Sequence, residues 1–291
     1  MKKILCSLIA FLIIQSMAEA GWFDFAGLGN DSSAVSESSS SSAGNHFSQS
    51  FYDVKDQMLQ HIYYDHRQTL YCDAAFDAHK NIKTPQGFKL PDLRRVDFYV
   101  YDIDTEELAR KAKRMEWEHI VPAQNFGKTF PQWAEGHRNC VSHKGKHFKG
   151  RSCAMQESEA FRYMYTDMYN LYPSIGAVNY LRSNFNFTQF SSSEKLKNIF
   201  GSCNLKISHN KVEPRDEVKG FIARTYLYME QTYHRYKIGE PMKSVLTAWN
   251  KQYPVTEWEC RRAYRIEQLQ GNANQIVKSA CKAQNLYRDA K

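Results

Sequence analysis

Arg114-Met115-Glu116-Trp117-Glu118-His119-Ile120-Val121-Pro122-Ala123 sets two carboxylates and an imidazole within four residues, flanks them with apolar side chains and stops on a proline. In an extended chain, successive side chains point to opposite faces. Residues 116–121 so arranged send Trp117, His119 and Val121 one way and Glu116 and Glu118 the other. At a strand end just before Pro122 that alternation can relax, and Glu118 and His119 can then reach one cavity. A carboxylate for a hard metal ion beside an imidazole that titrates near neutrality is the pairing metal-assisted hydrolysis uses. The same letters also describe a half-buried strand with a surface histidine, and three residues alone do not decide between the two. A metallopeptidase is a poorer reading, because no H-E-x-x-H pattern is present and Pro122 would break such a helix.

Working outward, residues 111–121 read as the strand leading into this cluster, with Asp104 starting a helix before it. Residues 96–101 are rich in strand formers, and residues 69–72 are a further candidate strand. Residues 51–64 carry Val54, Met58, Ile62 and Tyr63 along one helical stripe. Downstream, residues 156–169 place Phe161, Met164, Tyr165 and Met168 at i, i+3, i+4 and i+7, which predicts one amphipathic helix with its aromatics in the core. Pro173 and Gly176 break the chain, and residues 177–184 form a short helix. Pro214 opens a long helix over 215–236 with Val218, Phe221, Ile222, Thr225 and Met229 on one side. Helices over 241–249 and 256–270 follow, the last closed by Gly271. The fold class is α+β: helix-rich, few strands, with a single core of ordinary domain size.

The first twenty residues have Lys2 and Lys3, an apolar run from Ile4 to Ile14, and Ala18-Glu19-Ala20. That is a secretory signal with an A-x-A cleavage site, its apolar part too short to span a bilayer. Its removal takes away two lysines and one glutamate, so the formal charge of +8 becomes +7, moderately basic as suits a phosphate-bearing partner. Residues 21–45 form a serine-rich stretch that cannot bury enough apolar surface to offset chain entropy, a disordered linker. The folded domain is expected over 46–291. Cys72, Cys140, Cys153, Cys203, Cys260 and Cys281 remain after the signal. An even count in an exported chain argues for three disulfides, in any of fifteen pairings. No two cysteines have the C-x-x-C spacing of a metal cluster.

Five ordered blocks resemble the bacterial endonuclease I family of periplasmic and secreted nucleases. They are Met115-Glu-Trp-Glu-His-Ile-Val-Pro-Ala123 with Phe126-Gly127; Gly150-Arg151-Ser152-Cys153; the run from Asp167 to Asn179 with Arg182-Ser183-Asn184; Ile222 to Met229; and Trp249 to Cys260. Together they span about residues 48 to 281. The resemblance implies a ββα-metal finger, in which two short strands and a helix close over one metal ion. It also implies a sequence-nonspecific nuclease that leaves 5′ phosphates. His119 is then the general base, and Glu118 and Asn179 the ligands of one divalent cation, Mg²⁺ or another such as Mn²⁺ or Ca²⁺. Without the family, Asn179 reads as a helix cap. Glu116 is expected to act through its neighbours.

The phosphate clamp lies between two arginines, of which Arg151 is preferred. Aligning on Gly150-Arg151 selects Arg151; aligning on Gly136-His137-Arg138-Asn139-Cys140 selects Arg138. The departure is a longer, basic loop between Cys140 and Cys153. Its Lys144, Lys146 and Lys149, with Arg182 and Asn184, are the candidate backbone contacts, which read phosphate rather than bases and predict strong salt sensitivity. His137, His143 and His147 offer a transition-metal site as an alternative. A Cys140–Cys153 bond would tether the loop that carries Arg151. Cys260 with Cys281 is a helix-to-tail candidate, which leaves Cys72 with Cys203. The expected substrate is DNA, with RNA open as a second, and the expected state is an exported monomer in the periplasm or outside the cell. The competing reading is an exported nucleic-acid-binding protein without catalysis.

Overall fold

The structure, a computed structural model, describes residues 44–289. The expected signal peptide, and the linker up to residue 43, lie outside the described residues. Asn45, assigned to that linker on composition, is packed into the domain: its side-chain amide donates to Tyr163 O and Thr166 Oγ1, both at 2.9 Å.

In chain order, the helices are α1 (Phe51–Gln57), α2 (Thr105–Ala112), α3 (Ala123–Gly127), α4 (Pro131–Ala134), α5 (Arg151–Glu157), α6 (Glu159–Tyr165), α7 (Gly176–Arg182), α8 (Asp216–Thr232), α9 (Glu240–Gln252), α10 (Glu257–Gln270) and α11 (Gln275–Ala283). The strands are β1 (Met115–His119), β2 (Leu171–Ile175), β3 (Asn186–Phe187), β4 (Lys206–Ser208) and β5 (Lys211–Glu213). A π-helical turn, Met58–Ile62, extends α1. The class is α+β, as the periodicity indicates.

The organising unit is β1, β2 and α7. β1 and β2 pair antiparallel, from Met115 opposite Ile175 to His119 opposite Leu171, and α7 follows β2 without a loop. Residues 156–169 are not one helix. Ser158 is extended (ψ 109°) and its side chain accepts from Phe161 N, ending α5 and starting α6. A serine satisfies an orphan N–H better than it continues a helix, and that local preference overrides the apolar period. The expected chain break at Pro173 is instead strand β2. A two-stranded sheet has a free edge on each strand, so a residue without an N–H is tolerated there, and Pro173 O still accepts from Leu70 N at 2.8 Å. Residues 69–72 and 96–101 form no strand. Leu70, Tyr71 and Phe98 go into the core instead, while Tyr99 and Tyr101 stay exposed.

Helix α8 is buried nearly all round, which marks a central helix, and it packs along α9. It includes Lys219 and Arg224, both buried; Arg224 meets Glu259 of α10 in a two-pronged pair at 2.7 and 2.6 Å. Arg262 of α10 donates to Met168 O and Leu171 O, each at 2.7 Å, and lies 3.8 Å from the centre of the Tyr172 ring. The start of β2 is therefore anchored by a buried guanidinium. Three disulfides, Cys72–Cys203, Cys140–Cys153 and Cys260–Cys281, close the pairing question. Among the described residues no helix is long and apolar enough to cross a membrane.

Candidate active site

Beside β1 and α7 lies a cavity of about 760 Å³ lined by Glu116, Glu118, His119, Arg151, Asn179 and Asn184 among others. Glu118 and His119, neighbours in sequence at the end of β1, both line this cavity.

Glu118 is buried. Tyr71 donates to its Oε1 at 2.8 Å, and Arg182 Nη1 lies 3.0 Å from the same oxygen. Both partners fall on Oε1, so neither spends Oε2. Burial raises the Glu118 carboxyl to about 7, against the lowering pull of Arg182 and Tyr71. His119 Nε2 lies 2.8 Å from the carbonyl of Tyr165. A carbonyl only accepts, so Nε2 carries the hydrogen and Nδ1 of the neutral ring keeps its lone pair. Phe51 stacks on the imidazole at 5.5 Å between centroids, and burial pushes its pKa down to about 4. The ring is therefore a neutral base at physiological pH.

Asn179, in α7, donates from Nδ2 to Glu116 Oε2 at 3.1 Å, while Lys111 donates to Glu116 Oε1 at 2.9 Å. The contact with Glu116 commits the nitrogen of Asn179 and leaves its amide oxygen available as a ligand. Gly176 makes room for this, since a Cβ there would lie 2.8 Å from Lys111 O and 2.9 Å from Glu116 Oε1. A carboxylate oxygen and an amide oxygen on one cavity are a hard-donor set, which fits a cation such as Mg²⁺ that keeps several waters and takes few protein ligands. Among the described residues no three His, Cys, Asp or Glu group for a metal, so the histidines at 137, 143 and 147 do not make the alternative site. His137 pairs with Glu157 at 3.0 Å instead.

Of the two candidate arginines, Arg151 lines the cavity and Arg138 is not among its lining residues. Arg151 begins α5 just after Gly150, whose φ of +78° suits glycine, and its guanidinium lies 5.7 Å from the Tyr165 ring centre. Lys144, Lys146 and Lys149 are exposed on the loop closed by Cys140–Cys153, outside the cavity. Asn184 lines the cavity, with its amide donating to Gln124. Arg182 is a correction. It is fully buried and makes no surface for DNA. Besides Glu118, it donates to His119 O at 3.0 Å and Ile120 O at 2.7 Å, and its guanidinium stacks 4.6 Å from Phe187. A charged residue at a helix end ordinarily reads as exposed; three acceptors at the end of β1 hold this one inside. Sequence reasoning also missed Tyr71, for which there was no motif, and Phe51, which looked like one more apolar helix residue.

A family model for Endonuclease I matches residues 50–281. The chain belongs to the endonuclease I family. A relative named Endonuclease-1 from Buchnera aphidicola is 34% identical over 255 residues, covering 87% of this chain and 92% of the relative. An extracellular deoxyribonuclease and a periplasmic deoxyribonuclease of Aeromonas hydrophila are each 34% identical, covering 77% and 80% of this chain and 88% and 87% of their own. As an endonuclease I member this chain is an enzyme, a hydrolase that cuts nucleic acid internally.

Proposed function

We propose that this chain is an exported, divalent-metal-dependent endodeoxyribonuclease that hydrolyses the DNA backbone without reading base sequence and leaves 5′ phosphates. The observation that carries the reading is the His119 ring, its Nε2 committed to Tyr165 O, in the same cavity as Glu118, Asn179 and Arg151. The phosphodiester charge repels a nucleophile, so hydrolysis needs a base, an electrophile and help for the leaving oxygen. His119 Nδ1 takes the proton of the attacking water. The Arg151 guanidinium, charged at any working pH, pairs with the phosphate oxygens. A divalent cation held by Glu118 and Asn179 would supply positive charge to the crowded phosphorus centre and the departing 3′ oxygen. Departure of that oxygen leaves the phosphate on the 5′ oxygen of the downstream fragment. Lys144, Lys146 and Lys149 draw in the flanking backbone.

Export is supported by the relatives named as extracellular and periplasmic and by three disulfides in one chain. None of them addresses the 2′ position, so RNA belongs in the same assay. The test is nicking of supercoiled plasmid, with and without chelator, by the wild type and His119→Ala. Cutting that needs a divalent ion, and a variant that binds DNA but turns over at least a hundredfold more slowly, are expected. Chelator-resistant cutting, or full activity in His119→Ala, would overturn the reading.

A further inference from the structure

Exposed aromatic rings are concentrated at the mouth of the cavity. Among the described residues six large apolar side chains are strongly exposed: Phe47, Tyr52, Tyr64, Tyr99, Tyr101 and Val141. Tyr101 lines the cavity, and Tyr99 meets it edge-on, with ring centroids 4.8 Å apart and planes at 88°. Tyr99 is 60% exposed and Tyr101 44%. Tyr52, 70% exposed, follows Phe51, which also lines the cavity. The Lys55 ammonium lies 4.9 Å from the Phe51 ring and 5.9 Å from the Tyr52 ring. Lys55, Lys80 and Arg151 add positive charge to the same space. Rings of this size ordinarily gain by leaving water, and half of the exposed set stands instead at or beside one cleft.

Cations that draw a phosphate backbone, interleaved with open aromatic faces, are the combination that holds single strands. The faces of paired bases are already covered by their neighbours in a duplex, so an aromatic platform has nothing to stack on there. In an unpaired strand every base offers a face. We propose that this cleft grips unpaired DNA, with a base next to the scissile phosphate stacked on the Tyr101–Tyr99 pair, so that the enzyme favours single-stranded over duplex substrate. The inference rests on the nuclease reading above and narrows its substrate. Stacking of this kind is indifferent to base identity, which agrees with cutting without sequence preference.

The experiment compares kcat/KM on a mixed-sequence DNA oligonucleotide with that on its duplex, for the wild type, Tyr99→Leu/Tyr101→Leu and Tyr99→Phe/Tyr101→Phe. Fluorescence anisotropy of the same labelled strand in excess chelator reads binding without turnover. The leucine pair is expected to lower the single-strand to duplex ratio about tenfold and to weaken strand binding by a similar factor, as loss of a base stack does. The phenylalanine pair, which keeps both rings, is expected to retain the ratio. A ratio that moves less than twofold with leucine, or falls as far with phenylalanine, would overturn the proposal. A wild type that cuts neither substrate would instead sink the nuclease reading.

Discussion

Replacing Arg182 by methionine tests whether the end of β1 depends on a buried cation. The side chain is fully buried; Nη1 lies 3.0 Å from both Glu118 Oε1 and His119 O, and Nη2 lies 2.7 Å from Ile120 O. Methionine fills most of the volume and carries no donor. Glu118 would keep Tyr71 alone, and two strand-end carbonyls would lose their partner. Breaking a buried ion pair from one side costs about 3–5 kcal/mol, and each orphaned carbonyl about 1 kcal/mol or more. Protonation offers an escape, because burial already lifts the Glu118 carboxyl to about 7. That relief brings the expected loss down to about 4 kcal/mol.

In a domain of this size, about 4 kcal/mol is a fall of about 8–16 °C in Tm. Far-ultraviolet circular dichroism on heating measures it. A second arm adds Glu118→Gln, which removes the stranded charge; the double variant is expected to melt above Arg182→Met alone. Arg182→Lys keeps the charge but offers one point donor to three acceptors, and should fall between. An Arg182→Met protein melting within about 3 °C of the wild type would refute the reasoning, since it would mean the guanidinium could leave without stranding anything.

Gly176→Ala drives a methyl group against Lys111 O and Glu116. Displacing the carboxylate that orients Asn179 should slow plasmid nicking about tenfold, as small misplacements at a reacting centre do, and unchanged nicking would argue against that role for Glu116. Cys140→Ser/Cys153→Ser frees a loop closed across 13 residues, with an expected loss of about 3 kcal/mol and poor activity as the Arg151 segment loosens. Equal activity in oxidised and fully reduced protein, with free thiols counted, would defeat the tether idea. The Arg265 guanidinium, at 2.6 and 2.8 Å, holds the Asp65 carboxyl below its ordinary value. A depressed carboxyl stabilises the fold above its unfolded pKa and loses that contribution as pH falls through the folded one. Asp65→Asn should therefore lower urea stability at neutral pH and converge with the wild type in acid; parallel curves down to pH 3 or so would contradict the assignment.

The β1 stretch was readable in part: Glu118 and His119 are adjacent and lie on a strand, but the expected strand over 111–121 is only Met115–His119, since residues 111–112 close α2 and Pro122 caps α3. The long helices were readable because their signals are local, with α10 ending at Gly271 in the left-handed conformation its sequence suggests. What sequence left hidden depends on partners far along the chain. Pro173 looks like a break until Trp117 is known to lie opposite it. Ser158 looks like one more helix residue until its hydroxyl caps α6. Arg182 and Arg262 look like surface charge, yet both are buried and hold backbone carbonyls at the same end of the β1–β2 pair, where His119 faces Leu171.

That placement answers a problem the site sets for itself. Burial favours the neutral form of any titrating group. For His119 this suits the proposed role, because an imidazole must be neutral before it can take a proton. For Glu118, one residue earlier, it works the wrong way, because a protonated carboxyl is a poor ligand for a hard cation. Two neighbours in one sheltered cavity must therefore both be free of their protons, one of them neutral and the other charged. Burial does this for His119, and at Glu118 a partner works against it. His119 receives a carbonyl, which fixes its tautomer while the ring stays uncharged. Glu118 receives a guanidinium that no working pH can discharge, with the Tyr71 hydroxyl on the same oxygen. A surface lysine in the place of Arg182 could steer DNA, but it would not pull that buried carboxyl back toward its ionised form. Burying the arginine thus gives up one phosphate contact and in return limits the rise that burial imposes on Glu118, to about 7.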